Sequence, residues 1–167
     1  LAFQLSEMGL PLVLDLNMMD VSKRRGFKID IGKLSQELGM PVIPTIGNRG
    51  KGKKELRRAI YNIYENKNVF TPIRLDYGKT LEPILISLEK RLSDDQRLIE
   101  HYSARWLAVK LMENDSEAKR FVQQQAQQGN DILKIIAKER EKFITQYKKT
   151  PEKVIAQQRY CTAERIV

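Results

Sequence analysis

This chain of 167 residues has a single cysteine, Cys161, and a single histidine, His101. One cysteine excludes an internal disulfide, and the two residues together cannot assemble a Cys/His zinc cluster, so a reducing compartment is expected. The scarcity of histidine also limits chemistry: no nucleophile, base and orienting acid can be named together, since His101 lies on a predicted helix beside Tyr102. Long apolar runs are missing as well. None approaches the roughly 20 residues that span a bilayer, and no secretory leader is expected. The chain begins at Leu1 in mid-helix, without an initiator Met, and is expected to be a piece of something longer.

With 41% hydrophobic and 31% charged residues, the composition suits one domain with a proper core or two small ones. Net charge is +9, from 30 Lys and Arg against 21 Asp and Glu, and it divides almost evenly, +5 through residue 70 and +4 after it. That balance favours an anionic partner, although mixing of the signs also describes ordinary solvated faces. The basic residues do not gather on one helix with interleaved aromatics and no nucleic-acid motif is present, so nucleic acid is not expected as a partner. The alternative reading is a basic helical binding module for nucleic acid or a protein partner, without a nucleotide site.

The most informative stretch is the apolar run Pro11–Leu16 with Asn17-Met18-Met19-Asp20 directly after it. It has the length of a buried strand, and Asn-x-x-Asp falls at its carboxyl end, where open parallel sheets bind ligands. The Asp20 carboxylate can accept two N–H bonds from the N1–H and exocyclic amine of guanine, an edge adenine lacks. Asn17, both donor and acceptor, can reach N7 or O6 and also tie neighbouring loops together. As a plain alternative, Asn and Asp are ordinary turn and cap residues after a strand.

Leu1–Met8 reads as the end of a helix capped by Gly9, and Val21–Gly26 as a short basic turn or helix. A helix is expected over Lys33–Leu38, closed by Gly39, and Met40–Ile46 is a second buried strand, placed near an edge or strand start by its prolines. Strand, helix, strand, helix is the rhythm of a parallel α/β layer. Gly47-Asn48-Arg49-Gly50-Lys51-Gly52 then leads into a helix with Leu56, Ile60, Ile63 and Tyr64 on one side. Its three glycines permit close backbone approach to a ligand. Lys51, Lys53 and Lys54 at that helix's N-terminus oppose its macrodipole and suit an anion or acidic partner, unless they are simply a solvated face.

Beyond an irregular stretch, Asn66–Tyr77, with an extended run Ile73–Leu75, only helices are expected. Three apolar strips mark them: Leu81, Leu85, Leu88 and Leu92; Leu98, Tyr102, Trp106, Val109 and Met112; and Ile132, Ile136, Phe143 and Tyr147. Gly129 and Pro151 punctuate the later helices, and Gln123–Gln128 is read as an exposed helix end. Trp106, Tyr102 and Phe143 are expected in the core.

Five segments in this order, Leu5-x-x-Met8-Gly9-Leu10-Pro11, Asn17-Met18-Met19-Asp20, Leu38–Pro44, Arg49–Gly52 and Arg105–Leu111, resemble the ferrous iron transport protein B (FeoB) family over essentially the whole chain. The resemblance implies the carboxyl part of a Ras-like GTPase domain over residues 1–70 and a helical domain, resembling an inhibitor of GDP dissociation, over 71–167. The implied fold is therefore α/β followed by all-α, a partial Ras-like parallel sheet lacking its phosphate-loop half. GTP or GDP is the implied ligand, contacted by Asn17, Met18, Met19 and Asp20 and by the next loop, Ile46, Gly47, Asn48 and Arg49. Where the family often has Ser-Thr-Arg, this chain has Gly47-Asn48-Arg49, which removes a hydroxyl but leaves an amide. No Gly-x-x-x-x-Gly-Lys-[Ser/Thr], switch threonine or Asp-x-x-Gly occurs, so Mg²⁺ and GTP hydrolysis are expected only with the missing amino-terminal half. Other implied partners are a membrane permease part of the same polypeptide, which carries ferrous iron, and a homo-oligomer. The implied location is the cytoplasmic side of a prokaryotic inner or plasma membrane.

Overall fold

The computed structural model describes residues 2–65 and 74–166, and two compact units divide between Ile73 and Arg74. In the first unit, α1 (Ala2–Glu7) ends at Gly9, whose φ of 81° is reached easily only by glycine. Strand β1 (Leu14–Leu16) comes next, then α2 (Met19–Arg24) and α3 (Ile31–Leu38). Asp30 caps α3 by accepting from the Lys33 N–H at 2.9 Å, and Gly39 closes it in the left-handed region, as expected. Strand β2 (Val42–Pro44) lies parallel to β1, with Leu14 opposite Val42 and Leu16 opposite Pro44. Both strands are shorter than the apolar runs that contain them. Leu38, Met40 and Val42 are buried, and Phe3, Leu12, Leu14, Leu16, Ile31 and Leu34 pack on them.

After β2, a 3₁₀ turn (Gly47–Arg49) precedes α4 (Lys53–Glu65). The apolar side expected for α4 exists, but Ile60 and Tyr64 are 53% and 67% exposed. A two-stranded sheet is too narrow to cover a 13-residue helix.

The second unit is helical. It comprises α5 (Gly78–Ser93), α6 (Gln96–Ile99), α7 (Ala104–Met112), α8 (Ser116–Gln125), α9 (Gly129–Tyr147) and α10 (Pro151–Ile166). The strip Leu81, Leu85, Leu88 and Leu92 is buried throughout, as are Ile132, Ile136 and Phe143, while Tyr147 is half-buried. Gly129 and Pro151 open helices, and Gln123–Gln125 are exposed at the end of α8. Asp115 caps α8 by accepting from the Glu117 and Ala118 N–H groups, each at 3.0 Å. Burial works against its charged form, but the Ala118 hydrogen bond and Lys110 outweigh this and hold its pKa below the ordinary value. The resulting stability is present above the unfolded pKa and is lost as pH falls through the folded one.

The strip expected from Leu98 to Met112 is not one helix. Ser103 interrupts it, accepting from the Trp106 N–H at 3.1 Å as the N-cap of α7, and His101 lies in the turn before it. The break shifts the helical phase. Arg105, Leu107, Ala108, Val109, Leu111 and Met112 are buried, whereas Trp106 and Tyr102 are only half-buried. Those two rings stack at 4.6 Å and, with Phe121, line an open cleft of about 420 Å³. Of the irregular stretch, residues 66–73 lie outside the described residues, so the extended run is testable only at Arg74 and Leu75, which form no strand.

Candidate functional site

Strand β1 delivers Asn17 to the carboxyl end of the sheet, where its side chain joins two loops. Asn17 Oδ1 accepts the Met18 N–H at 2.7 Å and the Gly47 N–H at 3.0 Å, tying the segment that leaves β1 to the one that leaves β2. It also lies 3.2 Å from the Thr45 hydroxyl. With its oxygen facing these donors, the amide has one polar atom left, Nδ2, which hydrogen-bonds to none of the described residues.

Met18 is exposed and sits at φ 61°, a left-handed conformation uncommon for a residue with an unbranched side chain. That turn starts α2 immediately, so Met19 and Asp20 occupy its first turn, and the Met19 N–H donates to the Thr45 carbonyl at 3.2 Å. The Asp20 side chain is 22% exposed and makes one loose ion pair, 3.8 Å to Arg24. A carboxylate so weakly engaged retains acceptor capacity for a ligand.

The second loop is held by backbone hydrogen bonds more than by side chains. The Ile46 N–H donates to the Lys51 carbonyl at 3.1 Å, and the Arg49 and Gly50 N–H groups donate to the carbonyls of Ile46 and Gly47. Because the Gly47 amide is engaged by Asn17, the amide left without a described acceptor among residues 46–50 is that of Asn48. Gly47, Asn48 and Arg49 are exposed and Ile46 is half-buried. The structure thus joins Asn17, Met18 and Gly47 by direct hydrogen bonds and ties Met19 to Thr45. No hydrogen bond or ion pair links Asp20 to residues 46–49 among the described residues.

Two residues of this corner escaped the sequence reading, Thr45 and Asp15, whose side chains meet at 2.5 Å. The available signal was an acidic residue inside an apolar strand. Among the described residues no three His, Cys, Asp or Glu side chains converge into a possible ion site. No helix among them is long and apolar enough to cross a membrane.

Fold and corner together define a class: a segment of parallel α/β sheet with two hydrogen-bonded loops at its carboxyl edge, joined in sequence to an all-helical domain. Residues 1–60 match ferrous iron transport protein B, and residues 77–167 match the FeoB cytosolic helical domain. The chain belongs to the ferrous iron transport protein B (FeoB) family.

The Fe(2+) transport protein A/Fe(2+) transporter FeoB fusion protein of Porphyromonas gingivalis is 41% identical over 126 residues, which is 75% of this chain and 15% of that protein. The Fe(2+) transporter FeoB of Escherichia coli K12 is 33% identical over 127 residues, 76% of this chain and 16% of that protein. The chain therefore spans a small part of the curated relatives it matches. A variant S. thermophilus NFeoB bound to GMPPNP superposes with a TM-score of 0.82 at 28% identity, covering 99% of this chain and 62% of that one. S. thermophilus NFeoB bound to GDP.AlF4- and K+ gives a TM-score of 0.76 at 27% identity, with the same two coverages.

Proposed function

We propose that residues 1–70 are the guanine-reading part of a GTP-binding domain and that residues 71–167 are a helical domain that governs nucleotide release. The polypeptide containing both carries ferrous iron through a membrane permease part, with this segment on the cytoplasmic side. The supporting observation is the state of Asn17. Its oxygen is held by Met18, Gly47 and Thr45 while Nδ2 is left over. A donor at Nδ2 suits the purine N7, the Asp20 carboxylate suits N1–H and the 2-amino group, and the Asn48 amide suits O6. Met18, exposed beside Asn17, suits the face of the base. No catalytic step is assigned to these residues; their role is to bind and discriminate.

The test is Asp20→Asn in the full-length polypeptide. GDP affinity is expected to fall at least about tenfold, about 1.4 kcal/mol, because a charge-assisted pair of acceptors becomes one acceptor and a mismatched donor. Xanthosine diphosphate, with a carbonyl at C2, should gain affinity in the same variant, since the asparagine N–H then meets an acceptor. Calorimetric titration with both nucleotides measures this, and unchanged GDP binding rejects the assignment. Salt-steep binding to oligonucleotides would instead favour the basic binding module.

A second expectation concerns the loop. A Cβ added at Gly47 would rest 3.4 Å to 3.9 Å from Asn17 side-chain atoms, an ordinary contact, and the backbone there is not left-handed. Gly47→Ser should therefore fit and stiffen the loop, slowing GDP release about two- to fivefold with little change in association rate. Stopped-flow release of a fluorescent GDP analogue reads this directly, and equal off-rates would remove the loop side chain from control of release.

A further inference from the structure

Helix α2 closes in a basic turn whose shape is set by its backbone. The Gly26 N–H donates to the Lys23 carbonyl at 3.2 Å and the Phe27 N–H to the Ser22 carbonyl at 3.1 Å, with Gly26 left-handed at φ 80°. In a helix end closed this way, an apolar residue after the glycine commonly packs on the side chain of the residue whose carbonyl it bonds. Here that residue is Ser22, which offers no apolar side chain, and Phe27 stays 63% exposed. Four cations flank it in sequence, Lys23, Arg24, Arg25 and Lys28, and all are exposed. Arg24 leans toward Asp20 at 3.8 Å, while no ion pair engages Lys23, Arg25 or Lys28 among the described residues. The carboxylate that follows, Asp30, is taken up as the cap of α3.

We propose that this turn docks on an anionic phospholipid surface, its cations meeting headgroup phosphates and Phe27 entering between the headgroups; that a bilayer lies within reach rests on the proposed permease part. Unpaired cations are drawn to anionic headgroups over about a Debye length, each strengthening the attachment about fivefold. Charge alone would equally suit an acidic protein or a nucleic acid. The exposed ring decides between them. A bilayer interface accepts an isolated aromatic ring without a preformed pocket, because headgroups part around it. An acidic polymer would use the charges and leave the ring in water. The hydrogen bonds of Gly26 and Phe27 also hold the turn in place before contact, so little backbone order has to be gained on docking.

The experiment is sedimentation of the chain with vesicles of phosphatidylcholine, either alone or with about one-third phosphatidylglycerol. The parent should bind the anionic vesicles at least about tenfold better than the neutral ones. Lys23→Gln with Arg25→Gln should weaken that binding at least about tenfold, whereas Lys148→Gln with Lys149→Gln, an equal loss of charge at exposed residues of the second unit, should change it less than about twofold. All four positions are exposed, so the core is undisturbed. Phe27→Trp should show a blue shift of tryptophan emission on anionic vesicles beyond that of the parent, the sign of a ring that has left water. Equal losses in the two double variants would reduce the effect to overall charge and overturn the proposal. Unshifted emission in Phe27→Trp would overturn it too, and would favour an acidic polymer held through charge alone. Failure of the permease reading looks different: the full-length polypeptide would then move no ferrous iron across a bilayer, whatever this chain does on vesicles.

Discussion

Replacing Arg105 with leucine is expected to lower the unfolding free energy by about 3 kcal/mol, the scale at which removing one partner of a buried ion pair is felt. The guanidinium belongs to a residue only 8% exposed and holds together the entrance to the helical unit. Its Nη2 donates to the Leu75 carbonyl at 3.0 Å and to Glu82 at 2.7 Å, and the same Glu82 oxygen accepts the Tyr77 N–H at 3.1 Å. The guanidinium also lies 5.5 Å from the centre of the fully buried Tyr77 ring, where a cation–π contact adds to the hold. Glu89 receives Arg74 in a two-point contact at 3.0 Å and 2.7 Å. Residues 74–77 are thereby fastened to α5 and α7 by side chains rather than by regular backbone structure.

A leucine would leave the Leu75 carbonyl and Glu82 short of a donor in a setting where water is largely excluded, which is costlier than the net worth of the bonds themselves. The double variant Arg105→Leu with Glu82→Gln should lose less than the sum of the singles, because the unpaired charge is gone. Urea unfolding of the chain monitored by far-ultraviolet circular dichroism measures both. A loss below about 1 kcal/mol for Arg105→Leu would mean that the pair does not fasten this segment.

Arg105 also shows what was legible in the sequence and what was not. The segment Arg105–Leu111 was recognised, but the apolar strip was phased from Leu98, which put Trp106 inside and left Arg105 without a role. In the structure the Ser103 cap resets the phase, so Arg105 turns inward and Trp106 lines an open cleft. Periodicity is informative within a helix and misleads across a cap. The strip Leu81 to Leu92 had no interruption and was read correctly. The corner at the carboxyl end of β1 was legible where it depends on residue type at a strand end, as at Asn17 bridging two loops. It was not legible where it depends on register, because the meeting of Asp15 with Thr45, thirty residues apart, needs the two strands to be aligned first. The three loop glycines were read alike as freedom for the backbone, and the structure separates them: Gly47 has neither a left-handed backbone nor a close contact, Gly50 has only the first, and Gly52 has both.

Gly52→Ala is expected to destabilise the first unit by about 3 kcal/mol, whereas Gly50→Ala, two residues earlier, should cost only about 1 kcal/mol. Both glycines are left-handed, at φ 64° for Gly50 and φ 82° for Gly52, so the backbone penalty of adding a Cβ is similar. Their surroundings differ. A Cβ at Gly50 would meet nothing within 4 Å, while one at Gly52 would stand 2.4 Å from the Pro44 carbonyl oxygen and 2.9 Å from Thr45 Cγ2. The oxygen belongs to the backbone at the end of β2 and cannot swing aside as a flexible side chain would. Relief requires moving Pro44 and Thr45, and Thr45 carries the hydrogen bonds to Leu16 and Met19 that frame Asn17. Native-state hydrogen exchange at the Thr45 and Ile46 amides is the direct measure, since these donate to Leu16 and Lys51. Gly52→Ala should accelerate exchange at both by about a hundredfold, the equivalent of about 3 kcal/mol, and Gly50→Ala by less than about tenfold. Equal acceleration in the two variants would mean that the loop does not press on the strand at Gly52, and that only its left-handed backbone demands glycine there.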